Sequence, residues 1–229
     1  MPTELIANYV PDHREGKRYY FHPTLVRQIT IILIRAIFHL IAVLQAGGVE
    51  NLPSKGPVLL AANHMTNLDV FAMQLVLPRP IFFMGKEELF RNPILDWLIR
   101  QLGGFPVYRG ERDEWAIRHS EQVLEHRQVL GIFPEGKRSK GKGLHAGKTG
   151  AARLAITMEC PIVPLAVQGT LGLFKGLPNR TKVTVQLGSP IYPQPDESPL
   201  ALTDRLMFAI ADLLPLDERG VYARRPRGF

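Results

Sequence analysis

Apolar runs bounded by proline or glycine recur along this chain, and helical patterns separate them. The runs Val58–Ala62, Ile81–Met84, Phe105–Tyr108, Val129–Phe133, Ile162–Val167 and Val183–Leu187 read as strands. Several are nearly continuous in apolar residues, as expected of strands covered on both faces. Between them, 3.6-residue periodicity predicts helices over Leu68–Leu77, Pro93–Gln101, Asp113–His126, Gly147–Met158 and Pro199–Leu214. This βα alternation predicts a single α/β domain with a mixed, largely parallel sheet flanked by helices.

The most hydrophobic stretch, residues 23–46, precedes that alternation and ends at Gly47-Gly48. Arg27, Arg35 and His39 interrupt it, whereas a bilayer span needs about 20 apolar residues in a row. On a helix, Thr24, Arg27, Gln28, Arg35 and His39 share one stripe with Ile31 and Phe38, and the remaining face is aliphatic. Such a helix suits the headgroup layer of a membrane, with its arginines toward phosphates; a helix packed on the domain core is the alternative. The aromatic-basic lead-in Lys17-Arg18-Tyr19-Tyr20-Phe21 fits the same interface. These boundaries divide the chain into a basic segment and amphipathic helix (1–48), a domain (49–215) and a basic tail (216–229).

Charge narrows the partners. A net charge of +7 favours anionic ones, and basic residues gather at both ends: His13, Arg14, Lys17, Arg18 and His22, then Arg219, Arg224, Arg225 and Arg227. The C-terminal cluster reads as a solvated tail. Nucleic acid is not expected, because no recognition module or basic-aromatic stripe is present. Cys160 is the one cysteine, which excludes an internal disulfide and fits a reducing compartment. Met1 to Tyr9 contain Glu4 and Asn8, unlike the start of a signal peptide.

Three constellations carry candidate chemistry. Asn63-His64-Met65-Thr66-Asn67-Leu68-Asp69 follows the strand Val58–Ala62. On one helix His64 and Asp69 would face apart, but they meet if His64 lies on the loop and Asp69 opens the next helix, with Thr66 or Asn67 as cap. A carboxylate beside an imidazole fixes its tautomer and makes the other ring nitrogen a better general base; a loop histidine beside a capping aspartate is the bland alternative. Ile132-Phe133-Pro134-Glu135-Gly136-Lys137-Arg138-Ser139 also follows a strand. There Glu135 can accept from a hydroxyl, Gly136 permits a tight turn and Arg138 can fork onto a phosphate, unless this is an ordinary charged turn. Gly103 to Gly110 brings Arg109 to another strand end, a second arm for such a clamp. Lys86 closes a further strand and adds positive potential or makes a surface ion pair.

Other patterns do not hold. Gly143 to Thr149 has three residues between its glycines where a nucleotide phosphate loop needs four, and Gly136-x4-Gly141-Lys142 has Gly143 where a metal-binding hydroxyl belongs. No histidine pair has metal-ligand spacing on a helix, and His119 and His126 are expected to be solvated. No Gly-x-Ser-x-Gly nucleophile motif occurs, so any group transfer here would be direct attack by an acceptor hydroxyl.

Taken together, Asn63-His64-x4-Asp69, Gly104 through Arg109, Phe133-Pro134-Glu135-Gly136-x-Arg138-Ser139 and Cys160-Pro161-Ile162-Val163-Pro164 form four ordered blocks. With them the chain resembles the 1-acylglycerol-3-phosphate acyltransferase family over roughly residues 50 to 190. Lys137 and the run Phe105 to Tyr108 depart mildly from the family pattern. The resemblance implies transfer of a fatty acyl group from acyl-coenzyme A or acyl carrier protein to the free hydroxyl of 1-acylglycerol 3-phosphate, forming phosphatidate, at the cytoplasmic face of a membrane and without metal or redox cofactor. The alternatives are the same chemistry on glycerol 3-phosphate, another lysophospholipid or a lyso-aminolipid, and a non-catalytic peripheral lipid-binding protein. It further implies His64 as base, Asp69 as its orienting partner, Arg138 and Arg109 on phosphate, Glu135 on the glycerol portion, and the Pro161–Pro164 block on the acyl side.

Overall fold

The computed structural model describes residues 14, 16–108, 110, 112–175 and 178–225. The signal-peptide reading of Met1 to Tyr9, and the cationic candidates His13, Arg109 and Arg227, lie outside the described residues.

In chain order the elements are α1 (Leu25–Ile41), β1 (Ala42–Gly47), β2 (Val58–Ala62), α2 (Asp69–Val76), β3 (Ile81–Lys86), α3 (Pro93–Gln101), β4 (Gly104–Val107), α4 (Glu114–Glu125), β5 (Val129–Ile132), α5 (Gly150–Thr157), β6 (Ile162–Gln168), β7 (Thr181–Leu187) and α6 (Pro199–Asp212). The seven strands form one sheet in the order β1-β7-β6-β2-β5-β3-β4. Strands β2 to β6 run parallel, whereas β7 pairs antiparallel with β6 and carries β1 parallel to itself. The expected α/β domain with a mostly parallel sheet is therefore present.

The period of two along β2 divides the core between the two faces of the sheet. Leu59 and Ala61 pack with residues of α4, α5 and α6, while Val58, Leu60 and Ala62 pack with residues of α1 and α2. Every residue of β2 is buried, which is why it reads as an unbroken apolar run. Its neighbours β6 and β5 are also parallel to it, so the chain leaves all three strands at one edge of the sheet.

The N-terminal region differs from the sequence expectation in two ways. First, the helix stops at Ile41; Ala42 is extended (φ −138°, ψ 153°) and begins β1, whose register runs from Ala42 opposite Thr181 to Gly47 opposite Gln186. Gly47-Gly48 thus closes a strand, not a helix, and Gly48 turns there at φ +66°. Second, Arg27 points inward. It is 5% exposed and donates to the Leu102 carbonyl, Gln74 Oε1 and the Ile81 carbonyl; burial lowers its pKa to about 10. Arg35 reaches the Leu75 carbonyl at 3.4 Å. The face of α1 turned outward is aliphatic, with Leu25 and Leu40 each 71% exposed and Ile29, Ile32, Leu33 and Ile37 beside them. Among the described residues, no helix is long and apolar enough to cross a membrane.

The chain ends are anchored in part. Lys17 pairs with Asp96 of α3 at 3.0 Å, Arg14 with Asp113 at the start of α4 at 2.6 Å, and Tyr19 and Phe21 pack on α4. At the other end the backbone N–H of Leu144 donates to the Glu218 carbonyl, and Gly147 N–H donates to the Tyr222 hydroxyl at 2.9 Å. The segment expected as a solvated tail therefore begins by docking on the loop before α5.

His119 is also unlike its expectation. It is 7% exposed, stacked on Trp115 at 5.0 Å and 4°, with Phe105, Tyr19 and Phe21 around it. Burial, with a smaller contribution from His126, lowers its pKa to about 4. A histidine held neutral in this way contributes stability that is complete above its unfolded pKa of 6.5 and is lost as pH falls toward 4. Urea unfolding should therefore show the wild type losing on the order of 2 kcal/mol more than His119→Phe between pH 7 and pH 4.5. Equal losses in the two proteins would contradict the buried, neutral assignment.

Candidate functional site

The site is built where the parallel strands end. His64 follows β2 and Glu135 follows β5, while the turn after β6 supplies Thr170. Asn63 locks the first of these loops in place: its side-chain amide donates to the Val167 carbonyl at 2.9 Å and its side-chain oxygen accepts from Val167 N–H at 2.7 Å. That reciprocal pair continues the β2–β6 ladder by one more rung beyond the last strand residue of β2.

Beyond it the chain folds back around Asp69, the first residue of α2. The Asp69 side chain is 0% exposed and accepts five hydrogen bonds. His64 Nδ1 (2.9 Å), Met65 N–H (2.7 Å) and Thr66 N–H (2.8 Å) converge on Oδ2; the Thr66 hydroxyl (3.2 Å) and the Thr170 hydroxyl (2.6 Å) reach Oδ1. Among the described residues no lysine or arginine pairs with it, so neutral donors and the first turn of α2 carry the charge. Thr66 also accepts from Leu68 N–H at 3.0 Å, yet the residue preceding the helix is Leu68, which offers no side-chain cap.

His64 and Asp69 therefore meet as the sequence spacing suggested. Because a carboxylate only accepts, Nδ1 is the protonated nitrogen of the neutral ring and Nε2 carries the lone pair. Nε2 has no partner among the described residues, and it is not among their buried unpaired polar atoms. The Phe133 ring stacks on the imidazole at 3.9 Å and 15°. A basic nitrogen with its other side fixed and one face covered is suited to taking a proton from a hydroxyl.

Glu135 makes contacts that the sequence did not suggest. It is 2% exposed; its two oxygens accept from the backbone N–H groups of His64 and His145, each at 2.9 Å. Ser139 N–H donates to the His64 carbonyl at 2.7 Å. The loop after β5 thus grips both polar backbone groups of His64, and Glu135 is part of that grip. Burial pushes its carboxyl above the usual carboxylate range, against the lowering by its two backbone donors. Gly136 makes the turn at φ +67°, under the Lys148 side chain, where an added Cβ would stand 3.1 Å from Lys148 Cε.

Of the cationic candidates, Arg138 is exposed and has no partner among the described residues. Lys86 ends β3, at the same sheet edge, and pairs with Glu88 at 2.5 Å on the surface. Arg109, which would follow β4, lies outside the described residues. Thr170 and Asn63 were missed as site residues. Asn63 stands within the first block but bonds a strand 104 positions away, and nothing near Thr170 in sequence marks it.

A buried Asp–His pair stands at the ends of parallel strands, and among the described residues no serine or cysteine side chain is hydrogen-bonded to it. The chain belongs to the acyltransferase family, whose model matches residues 43–168. It is 32% identical to the 1-acyl-sn-glycerol-3-phosphate acyltransferase of Bacillus subtilis over 69% of this chain and 77% of that protein. It is 31% identical to the Streptococcus pneumoniae protein of the same name, over 77% of this chain and 64% of that one. The crystal structure of the 1-acyl-sn-glycerophosphate (LPA) acyltransferase PlsC from Thermotoga maritima superposes with a TM-score of 0.65 at 25% identity, covering 82% of this chain and 80% of that one.

Glutamine at Glu135 would turn one acceptor into a donor facing a backbone N–H. Glu135→Gln should lower stability by about 1–3 kcal/mol and reduce turnover with it, measured by urea unfolding and by acyl transfer. Unchanged values in both assays would remove Glu135 from the support of His64.

Proposed function

We propose that this protein transfers a fatty acyl group from an acyl thioester to the free hydroxyl of 1-acylglycerol 3-phosphate, forming phosphatidate for phospholipid synthesis. The observation that carries this reading is the Nδ1-anchored His64 whose Nε2 has no partner among the described residues, and the relatives' shared name supports the choice of acceptor.

In this reading the acceptor's phosphate docks on Arg138 and Arg109, with Lys86 adding positive potential once it leaves Glu88. The acceptor hydroxyl then gives its proton to His64 Nε2 as its oxygen attacks the thioester carbonyl. The developing imidazolium is stabilised by Asp69. The tetrahedral intermediate collapses, the C–S bond breaks, and the thiolate of coenzyme A or acyl carrier protein takes the proton from His64. His64 and Asp69 end as they began, and the step needs neither metal nor redox cofactor. Gly136 shapes the turn that presents Arg138.

The acceptor and product are lipids, and drawing an acyl chain into water costs about 0.8 kcal/mol per CH₂. Contact with the cytoplasmic face of a membrane through segment 1–48 avoids that cost, with 49–215 carrying the chemistry and 216–229 as a basic tail. The outward aliphatic arc of α1, bordered by Gln28, Arg35 and His39, supports this placement as a peripheral or monotopic helix lying in the membrane surface. Arg27 takes no part in it, being turned into the protein.

Release of free thiol by the purified protein, supplied with acyl-coenzyme A or acyl carrier protein and several acceptors, tests the proposal. Lysophosphatidate should be the preferred acceptor; preference for glycerol 3-phosphate or a lyso-aminolipid would overturn the substrate assignment. His64→Ala should cut turnover by about 10²–10⁴-fold with the fold intact by circular dichroism, and near-normal turnover would exclude His64 as the base. Changing Ile29, Leu33 and Leu40 of α1 to serine should release the protein from anionic vesicles in flotation. Undiminished flotation would rule out this face as the membrane contact.

A further inference from the structure

The Asp69 carboxylate is held unevenly. On Oδ2 three donors converge, all from the loop that carries His64. Oδ1 has only the Thr66 hydroxyl at 3.2 Å from that loop, and that hydroxyl is shared with Leu68 N–H. Donors on a single oxygen fix a point but leave the carboxylate plane free to pivot about it. The short contact that stops the pivot comes from Thr170, 101 positions later, at 2.6 Å on Oδ1.

Thr170 is placed for this by its own segment. Val167 is fastened to Asn63 by the reciprocal amide pair, so the end of β6 moves with the start of the catalytic loop. Gly169 then takes φ +86°, where a side chain would run into the Lys182 carbonyl of β7. The chain turns sharply there and opens the short helical turn Thr170–Gly172, with the Thr170 side chain directed back under α2 and 2% exposed. A buried hydroxyl facing a buried carboxylate oxygen must donate to it, because the carboxylate offers no proton in return.

We infer that Thr170 is a positioning residue for acyl transfer: its hydroxyl sets the plane of the Asp69 carboxylate, and through it the aim of His64 Nε2. The inference rests on the reading of His64 as the base. Thr170 reaches no substrate and acts only through Asp69. A side chain isosteric with threonine but lacking the hydroxyl leaves Oδ1 with one long bond, so Asp69 can rotate and the imidazole with it. Acceptor binding, which depends on the cationic groups at other strand ends, is untouched.

The test is steady-state acyl transfer with the full chain on mixed vesicles, using wild type, Thr170→Val, Thr170→Ser, Asp69→Ala and the double variant Asp69→Ala/Thr170→Val. Thr170→Val should lower kcat about tenfold, the scale of a hydrogen bond to a charged group, with acceptor KM within about twofold. Thr170→Ser should recover most of kcat, and the valine change should have no further effect once Asp69 is alanine. Should Thr170→Val fail to fold by circular dichroism, Thr170→Ala takes its place in the same comparisons. A kcat within twofold of wild type, a serine variant as impaired as the valine one, or an undiminished valine effect in the Asp69→Ala background would overturn the inference. Absence of any acyl transfer by the wild type would instead strike the proposed function itself.

Discussion

A carboxylate sealed from water, with no lysine or arginine beside it among the described residues, is costly to keep unless donors replace the lost hydration. Asp69 meets that demand with five hydrogen bonds, and the arrangement of the whole site follows from supplying them. Two donors are backbone N–H groups of the loop, which forces that loop to curl tightly around the start of α2. One is the imidazole, so the curl also decides which ring nitrogen is left over. Another is Thr170, so the turn after β6 must lie against the same point. The fold satisfies these demands by ending β2, β5 and β6 at a common edge, where three separate loops can reach one carboxylate and its histidine.

Support then passes outward by backbone contacts. Asn63 extends the β2–β6 pairing, Glu135 and Ser139 hold the N–H and C=O of His64, and Phe133 covers one face of the ring. Each contact crosses between neighbouring strand ends, so few of the groups fixing the imidazole are free to move singly. A second buried carboxylate, Glu135, follows the same logic with two backbone donors. The aliphatic outer face of α1 is a separate feature, exposed at the surface and making none of these contacts.

Much of this was legible in the amino-acid sequence where a local pattern has one physical solution. Val58–Ala62 and Val129–Ile132 are uninterrupted apolar segments because both faces of their strands are covered, and the His-x4-Asp spacing closes only if a loop turns into a helix. The register of β1 was not legible. Ala42 to Gly47 continues the aliphatic run of α1, and periodicity alone cannot distinguish the last turns of a helix from a short edge strand. Arg27 and His119 were misplaced because sequence assigns polar residues outward by default, whereas here three acceptors meet the guanidinium and an aromatic cluster holds the imidazole neutral. The backbone contacts of Glu135 were not legible because the partners lie 71 and 10 positions away. Thr170 carried no local signal at all, since its role exists only once β6 lies beside β2.

All of these contacts converge on one chemical consequence: the lone pair of His64 sits on Nε2 and faces outward. Nitrogen-15 NMR of the histidine-labelled protein at neutral pH reads this directly. The account predicts that His64 Nδ1 carries the proton and Nε2 has the shift of an unprotonated, pyridine-like nitrogen. A proton resident on Nε2 of the neutral ring, with Nδ1 bare, would contradict it.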